Sequence, residues 1–89
     1  MPNEVTVFGA RWCHDTANAR RHLQRLGVPY EYVDIDEDEA AERAVVVWND
    51  GRRRIPVIVV NSSGRQTILK NPSGDEIDIA LNRSGIRAA

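Results

Sequence analysis

Val5-Thr-Val-Phe-Gly-Ala-Arg-Trp-Cys-His-Asp-Thr16 carries the chain from an apolar strand, Val5 to Phe8, into a helix. The helix is expected from about Cys13 to Leu26, with Ala19, Leu23 and Leu26 at i, i+4 and i+7 forming its core face. Arg20, Arg21, Gln24 and Arg25 fill its outer faces, and Gly27 followed by Pro29 stops it. Cys13, the one cysteine of the chain, falls on the joint between strand and helix. A thiol placed there meets unpaired helix amides and the positive end of the helix dipole, which favour thiolate over thiol. The thiolate is the nucleophile of thiol–disulfide exchange. A lone cysteine is also commonly a small buried hydrophobe, so position alone leaves both readings open.

Downstream, the order of elements is β-α-β-α-β-β-α. Tyr30 to Ile35 is expected as strand two, and Asp36 as the start of helix two with Glu39 as its capping-box partner. That helix carries Ala40, Ala41, Ala44, Val47 and Trp48, and Asn49-Asp50-Gly51 ends it. Val57-Ile-Val-Val60 is an unbroken apolar run, as a strand covered on both faces should be. Asn61 to Gly64 makes a turn, and Gln66 to Leu69 returns antiparallel. Ser73 is the expected N-cap of the last helix, with Glu76 at N3 and Ile77, Ala80 and Leu81 at helical spacing. The polar tail from about Asn82 is expected to fray. This is a thioredoxin-like α/β order: a four-stranded mixed sheet with three helices. Strand one is expected to pair parallel with strands two and three by right-handed crossovers, placing the reactive group at the carboxyl end of strand one.

A chain of 89 residues is expected to form one domain, with its core at about 4–82. Hydrophobic residues at 42% and charged residues at 28% fit a globular chain and exclude a disordered one. A single cysteine excludes an internal disulfide scaffold. Met1 to Glu4 has neither a basic segment nor an apolar run, so no signal peptide is expected, and no apolar stretch approaches the ~20 residues of a membrane span. A soluble, reducing, cytoplasmic setting follows, without membrane partners. A net charge of −1 gives no support to a nucleic-acid partner. Within that balance, Asp34 to Glu39 is acidic and Arg52-Arg-Arg54 basic, the acidic run being explained as a helix start. Lys70 is the one lysine among twelve cations, an arginine bias that hints at a GC-rich genome.

Three segments resemble glutaredoxins. Val5 to Thr16 is similar to their active-site segment, Arg53-Arg-Ile-Pro-Val-Ile-Val59 to their proline-containing binding loop, and Lys70-Asn-Pro-Ser-Gly-Asp-Glu76 to the start of their last helix. Trp12 directly before the cysteine and Asn71-Pro-Ser73 are most similar to the actinobacterial mycoredoxin branch. The resemblance covers about residues 4 to 82 and implies a thioredoxin (glutaredoxin) fold with disulfide or mixed-disulfide reductase chemistry at Cys13. It also implies a cis Ile55–Pro56 bond in a loop with Arg54, whose backbone meets an extended ligand beside Cys13. Ser73, Gly74 and Asp75, at a helix N-terminus, would then hold a carboxylate of a small thiol. Glutathione or mycothiol is the implied co-substrate and S-thiolated proteins the implied partners. The protein is expected to be a monomer, with no tightly bound cofactor.

The departures from the family pattern shape this reading. Thr16 stands where most members of that branch carry a second cysteine, which implies a monothiol route resolved by an outside thiol. Its hydroxyl is placed either to donate to the Cys13 thiolate or merely to fill the first helical turn. Arg11 stands nearest to the place of a lysine common in glutaredoxins, as a partner for a substrate carboxylate or as a solvated loop cation. A protonated His14 would favour thiolate and Asp15 would oppose it. Trp12 is read as flanking a bound thiol, Trp48 as core and His22 as surface. Four metal ligands at suitable spacing are missing, so no metal site is expected. Two readings compete with the oxidoreductase. In iron–sulfur carriage a cluster is bridged between two subunits, yet the best-known type carries Cys-Gly-Phe-Ser after a longer lysine-containing loop, and neither feature is present. In a non-catalytic interaction module, Cys13 would be inert to alkylation.

Overall fold

Seven elements form in the expected order: β1 (Val5–Gly9), α1 (His14–Leu26), β2 (Glu31–Asp34), α2 (Glu39–Trp48), β3 (Val57–Ser62), β4 (Arg65–Lys70) and α3 (Gly74–Arg83). They come from a computed structural model that describes residues 4–87. The strands make one mixed sheet in the order β2-β1-β3-β4. β1 and β2 run parallel, with Gly9 opposite Asp34, and β3 and β4 form the expected hairpin.

β3 corrects the expected topology. It lies antiparallel to β1, with Phe8 opposite Val57 and Val5 opposite Val60. A ten-residue helix spans only about 15 Å, and the segment from Asn49 to Pro56 then returns the chain to the end of the sheet it left at Asp34. The reversal builds the site. A parallel β3 would have put Ile55-Pro56 at the far end of the sheet, whereas the antiparallel register sets this pair beside the last residues of β1, from which Cys13 follows.

Strand alternation divides the core in two. Val5, Val7, Ile58 and Val60 face α1 and α3, meeting Ala19, Leu23, Ile77 and Leu81. On the other face Val57 and Val59 meet Ala41 and Val45 of α2, together with Ala10, Ile35 and Ile55; Phe8, Cys13 and Trp48 complete this layer half-buried. Trp48 packs edge-on against Phe8 with ring centroids 5.2 Å apart, in keeping with its reading as core.

Several boundaries shift for local reasons. The inward stripe of α1 is Thr16, Ala19 and Leu23, and Leu26 turns outward at 37% exposure because Gly27 ends the helix in the left-handed conformation beside it. Arg20 lies over the ring of Tyr32 at 3.9 Å and donates to the Tyr30 hydroxyl at 3.1 Å, fastening edge strand β2 to α1 instead of standing in solvent. Asp38, not Asp36, caps α2: its carboxylate accepts from Ala41 N–H at 3.0 Å, while Asp34 to Glu37 form a turn before it. Val47 is 73% exposed, so Ala41 and Val45 carry the buried face of α2. The tail is tied down as far as Ile86, which packs on the first core, and Ser62 Oγ donates to Ser84 O at 2.8 Å.

Candidate active site

Cys13 is the N-cap of α1, in extended backbone at φ −85° and ψ 119°. Its N–H donates to Ala10 O at 3.2 Å and its carbonyl accepts from Ala17 N–H at 3.1 Å. Its side chain caps no helix amide. Ser, Thr, Asp or Asn at this position would close those amides with an oxygen; a sulfur leaves their positive ends facing the thiol's surroundings. The thiol is half-buried against the second core, the cluster that also contains Ile55.

Thr16, one turn on, is fully buried. Its Oγ1 accepts from Ala10 N–H at 3.4 Å, and its side chain occupies the space where a Cβ on Gly9 would sit. The close approach of strand and helix at this joint therefore depends on a glycine at position 9. Thr16 serves first as the peg of the joint, and it holds the backbone that carries Cys13.

The Ile55–Pro56 bond is cis, as the resemblance implied, and both residues are buried. The loop is pinned from both ends. Asn49, buried at the end of α2, donates from Nδ2 to Val45 O at 2.9 Å and to Arg54 O at 3.1 Å. Past the proline, Asn71 N–H donates to Pro56 O at 2.7 Å. Arg54 itself points into solvent.

Trp12 is 65% exposed, and its indole Nε1 donates to Asp36 Oδ2 at 2.8 Å. Asp36 Oδ1 accepts from Arg53, whose Nε donates to Glu42 Oε2 at 2.6 Å. The hydrogen bond from Trp12, followed by that from Arg53, holds the Asp36 carboxyl below its ordinary range, and the two carboxylates raise the Arg53 guanidinium. Arg11 extends over the same acidic turn, 3.7 Å from Asp34 and 3.9 Å from Glu37. His14 and Asp15 are exposed on the first turn of α1.

Ser73 caps α3 in a capping box: its Oγ accepts from Glu76 N–H at 3.2 Å and its N–H donates to Glu76 Oε1 at 3.0 Å. The amides of Gly74 and Asp75 are left outside that exchange. A polar cleft of about 510 Å³ opens between α1 and this helix start, lined by Asp15, Asn18, His22, Ser73 and Gly74. His22 is half-buried in it, 2.8 Å from Asp78, and not simply at the surface as expected. A cavity of about 540 Å³ between β4 and α3, around Thr67 and Ile79, touches none of the expected site residues.

The sequence model of the glutaredoxin family matches residues 5–64. This chain belongs to the glutaredoxin family. Mycoredoxin 1 of Corynebacterium glutamicum is 29% identical over 75 residues, covering 84% of this chain and 89% of that protein, which puts the chain near the mycoredoxin branch. A solved glutaredoxin from Archaeoglobus fulgidus matches with a TM-score of 0.66 at 20% identity, over 89% of this chain and 86% of that one. A buckwheat glutaredoxin–glutathione complex matches with a TM-score of 0.62 at 21% identity, over 93% and 71%. Family and fold are those of thiol–disulfide oxidoreductases. Among the described residues no helix is long and apolar enough to cross a membrane.

Against this glutaredoxin frame, the fold brings Cys13, Ile55 and Pro56 to one end of the sheet, with Trp12 tied to the same loop through Arg53. Arg54 stands apart as an exposed cation, and Arg11, also exposed, lies against Asp34 and Glu37. Sequence reading missed Asp36, Arg53, Glu42 and Asn49 as site-building residues. Only the acidic run and the arginine triplet hinted at the charge chain, and neither tells which members pair.

Proposed function

We propose that this chain is a monothiol oxidoreductase that removes a low-molecular-weight thiol, glutathione or mycothiol, from S-thiolated proteins. The observation that carries the reading is the setting of Cys13: the one cysteine of the chain is the N-cap residue of α1 beside the cis-proline loop, its thiol bonded to no helix amide, and a buried threonine stands one turn on. The Cys13 thiolate attacks the small-thiol sulfur of a protein mixed disulfide. A new disulfide forms between Cys13 and the small thiol, and the protein sulfur leaves as a thiolate and takes up a proton. With no second cysteine to displace it, the small thiol waits on Cys13. A second small-thiol thiolate attacks it, the oxidised small-thiol dimer leaves, and Cys13 returns as a thiolate. In sum one free small thiol is consumed: the protein partner is reduced to its thiol, and the incoming small thiol leaves joined to the one carried on Cys13 as their disulfide. Trp12, the Ile55 backbone and the α3 start at Ser73, Gly74 and Asp75 form the walls that receive the small thiol, in a protein acting as a monomer.

Mixing the reduced protein with glutathione disulfide or mycothiol disulfide and weighing the product tests this. The wild type should gain one small thiol, and the disulfide that reacts faster identifies the co-substrate. Cys13→Ser should gain nothing and lose all exchange activity. Absence of an adduct with either disulfide, or exchange that survives in Cys13→Ser, would end the monothiol reading.

A further inference from the structure

We infer that Asp36 and Arg53 are positioning residues for exchange at Cys13, fixing the Trp12 indole as one wall of the small-thiol site. The inference rests on the functional reading above. An indole that is mostly in solvent on a tight turn has little packing to choose its rotamer. Here its one polar atom is claimed by Asp36 Oδ2, so the ring is held by an edge and its faces stay open to a ligand.

The holder is itself held. Asp36 uses its other oxygen for Arg53, and Arg53 uses a separate nitrogen for Glu42 in the first turn of α2. Asp36 N–H is fixed by Asp34 Oδ1 at 2.9 Å, so the carboxylate is presented from a tied turn. The chain of bonds joins the loop before α1, the turn after β2, the cis-proline loop and α2, the segments that surround Cys13.

Among the described residues the Asp36 side chain bonds only to Trp12 and Arg53. Asp34 makes the turn and Asp38 caps α2, leaving the Asp36 side chain for Trp12 and Arg53. Exposed ion pairs add little to global stability. Losing this one should therefore be felt in ligand geometry more than in folding.

The test uses the whole protein and a peptide bearing a mixed disulfide with glutathione or with mycothiol. Asp36→Ala should raise KM roughly tenfold and leave kcat within about twofold, as expected for loss of one charge-assisted contact that shapes binding. Its melting temperature should stay within about 4 °C of wild type. Asp36→Glu should restore part of the KM. Trp12→Phe, which keeps a ring without the N–H, should raise KM, and adding Asp36→Ala to it should cost nothing more. The indole N–H resonance of Trp12 should shift in Asp36→Ala and in Arg53→Ala. An unchanged KM in Asp36→Ala, or losses that add in the double variant, would overturn the inference. A wild type that does not turn over would sink the functional reading instead. The Trp12 resonance then decides alone: a shift in Asp36→Ala supports the positioning role, and an unmoved resonance overturns it.

Discussion

Val7 and Ile58 on one face of the sheet meet Leu23 of α1 and Ile77 of α3 in a layer of aliphatic side chains. Phe8 and Val57 on the other face meet a single ten-residue helix, α2, and only this second layer includes the thiol. At the two ends of α2, polar bonds take over. Asn49 holds the cis-proline loop, and Glu42, Arg53 and Asp36 reach across to Trp12. Apolar packing stabilises by exclusion of water, so it would bury a reactive group along with everything else. Directional bonds at an edge can fix loops while leaving them open to a ligand. The first face thus supplies stability and the second supplies an accessible, ordered sulfur.

The most severe way to break this comparison is to damage the first face alone. Leu23 is completely buried there, and Leu23→Ala should destabilise the protein by about 2–5 kcal/mol through lost transfer energy and a residual cavity. Urea unfolding measures that loss. Alkylation of Cys13, measured in buffer where both proteins are folded, should keep its wild-type rate. A rate that falls along with stability would mean that the two faces are not separable.

A smaller stability loss with a larger chemical effect is expected at the strand–helix joint. A Cβ on Gly9 would lie 2.3 Å from Thr16 Cγ2 and 2.5 Å from its Oγ1, too close to be accommodated without movement. Gly9→Ala should cost about 1–3 kcal/mol by overpacking and, unlike Leu23→Ala, should slow exchange at Cys13. Thr16→Ala removes the acceptor for Ala10 N–H and should only weaken exchange, at a stability cost on the order of 1 kcal/mol. Combining the two should cost less than their sum, because removing the threonine methyl and hydroxyl relieves the clash. Simple additivity would show that the joint is not a contact of these two residues.

The same division explains what could be read in advance. The α1 stripe through Ala19 and Leu23, the Gly27 stop and the Ser73–Glu76 capping box were legible because each is a local pattern whose partner lies within a few residues. The apolar run at Val57 correctly implied a strand covered on both faces, but it looks alike in both directions, so its antiparallel sense was not readable. In Asp34 to Glu39 each of three aspartates, Asp34, Asp36 and Asp38, can cap a helix; only the turn made by Asp34 selects Asp38 for that role and frees Asp36. The pairing of Arg53 with Asp36 and Glu42 and the His22–Asp78 pair, 56 residues apart, depend on how elements meet, which no short pattern encodes. Cys13 was found by its position at the strand–helix joint and Pro56 by resemblance, whereas the bonds that order them were not found.

The smallest expected effect sharpens the comparison by pH. The Trp12 indole and Arg53 hold the Asp36 carboxyl below its ordinary value of 3.8. Such a group contributes in full above that ordinary value, and the contribution fades as pH falls through the lower folded value. Acidification from about pH 5 to about pH 2.5 should therefore release Trp12 only at the acid end. Trp48 packs on Phe8 and would mask the signal, so a Trp48→Phe background isolates the fluorescence of Trp12. A step should appear below the ordinary carboxylate range, and it should be absent when Asp36→Asn is added. Glu42 shares Arg53, and Asp34 and Glu37 lie near Arg11, so three further carboxylates stand beside the same link. A step that survives Asp36→Asn unchanged would belong to one of them. The acid-sensitive link of the second face would then lie at an arginine pair and not at the tryptophan beside the thiol.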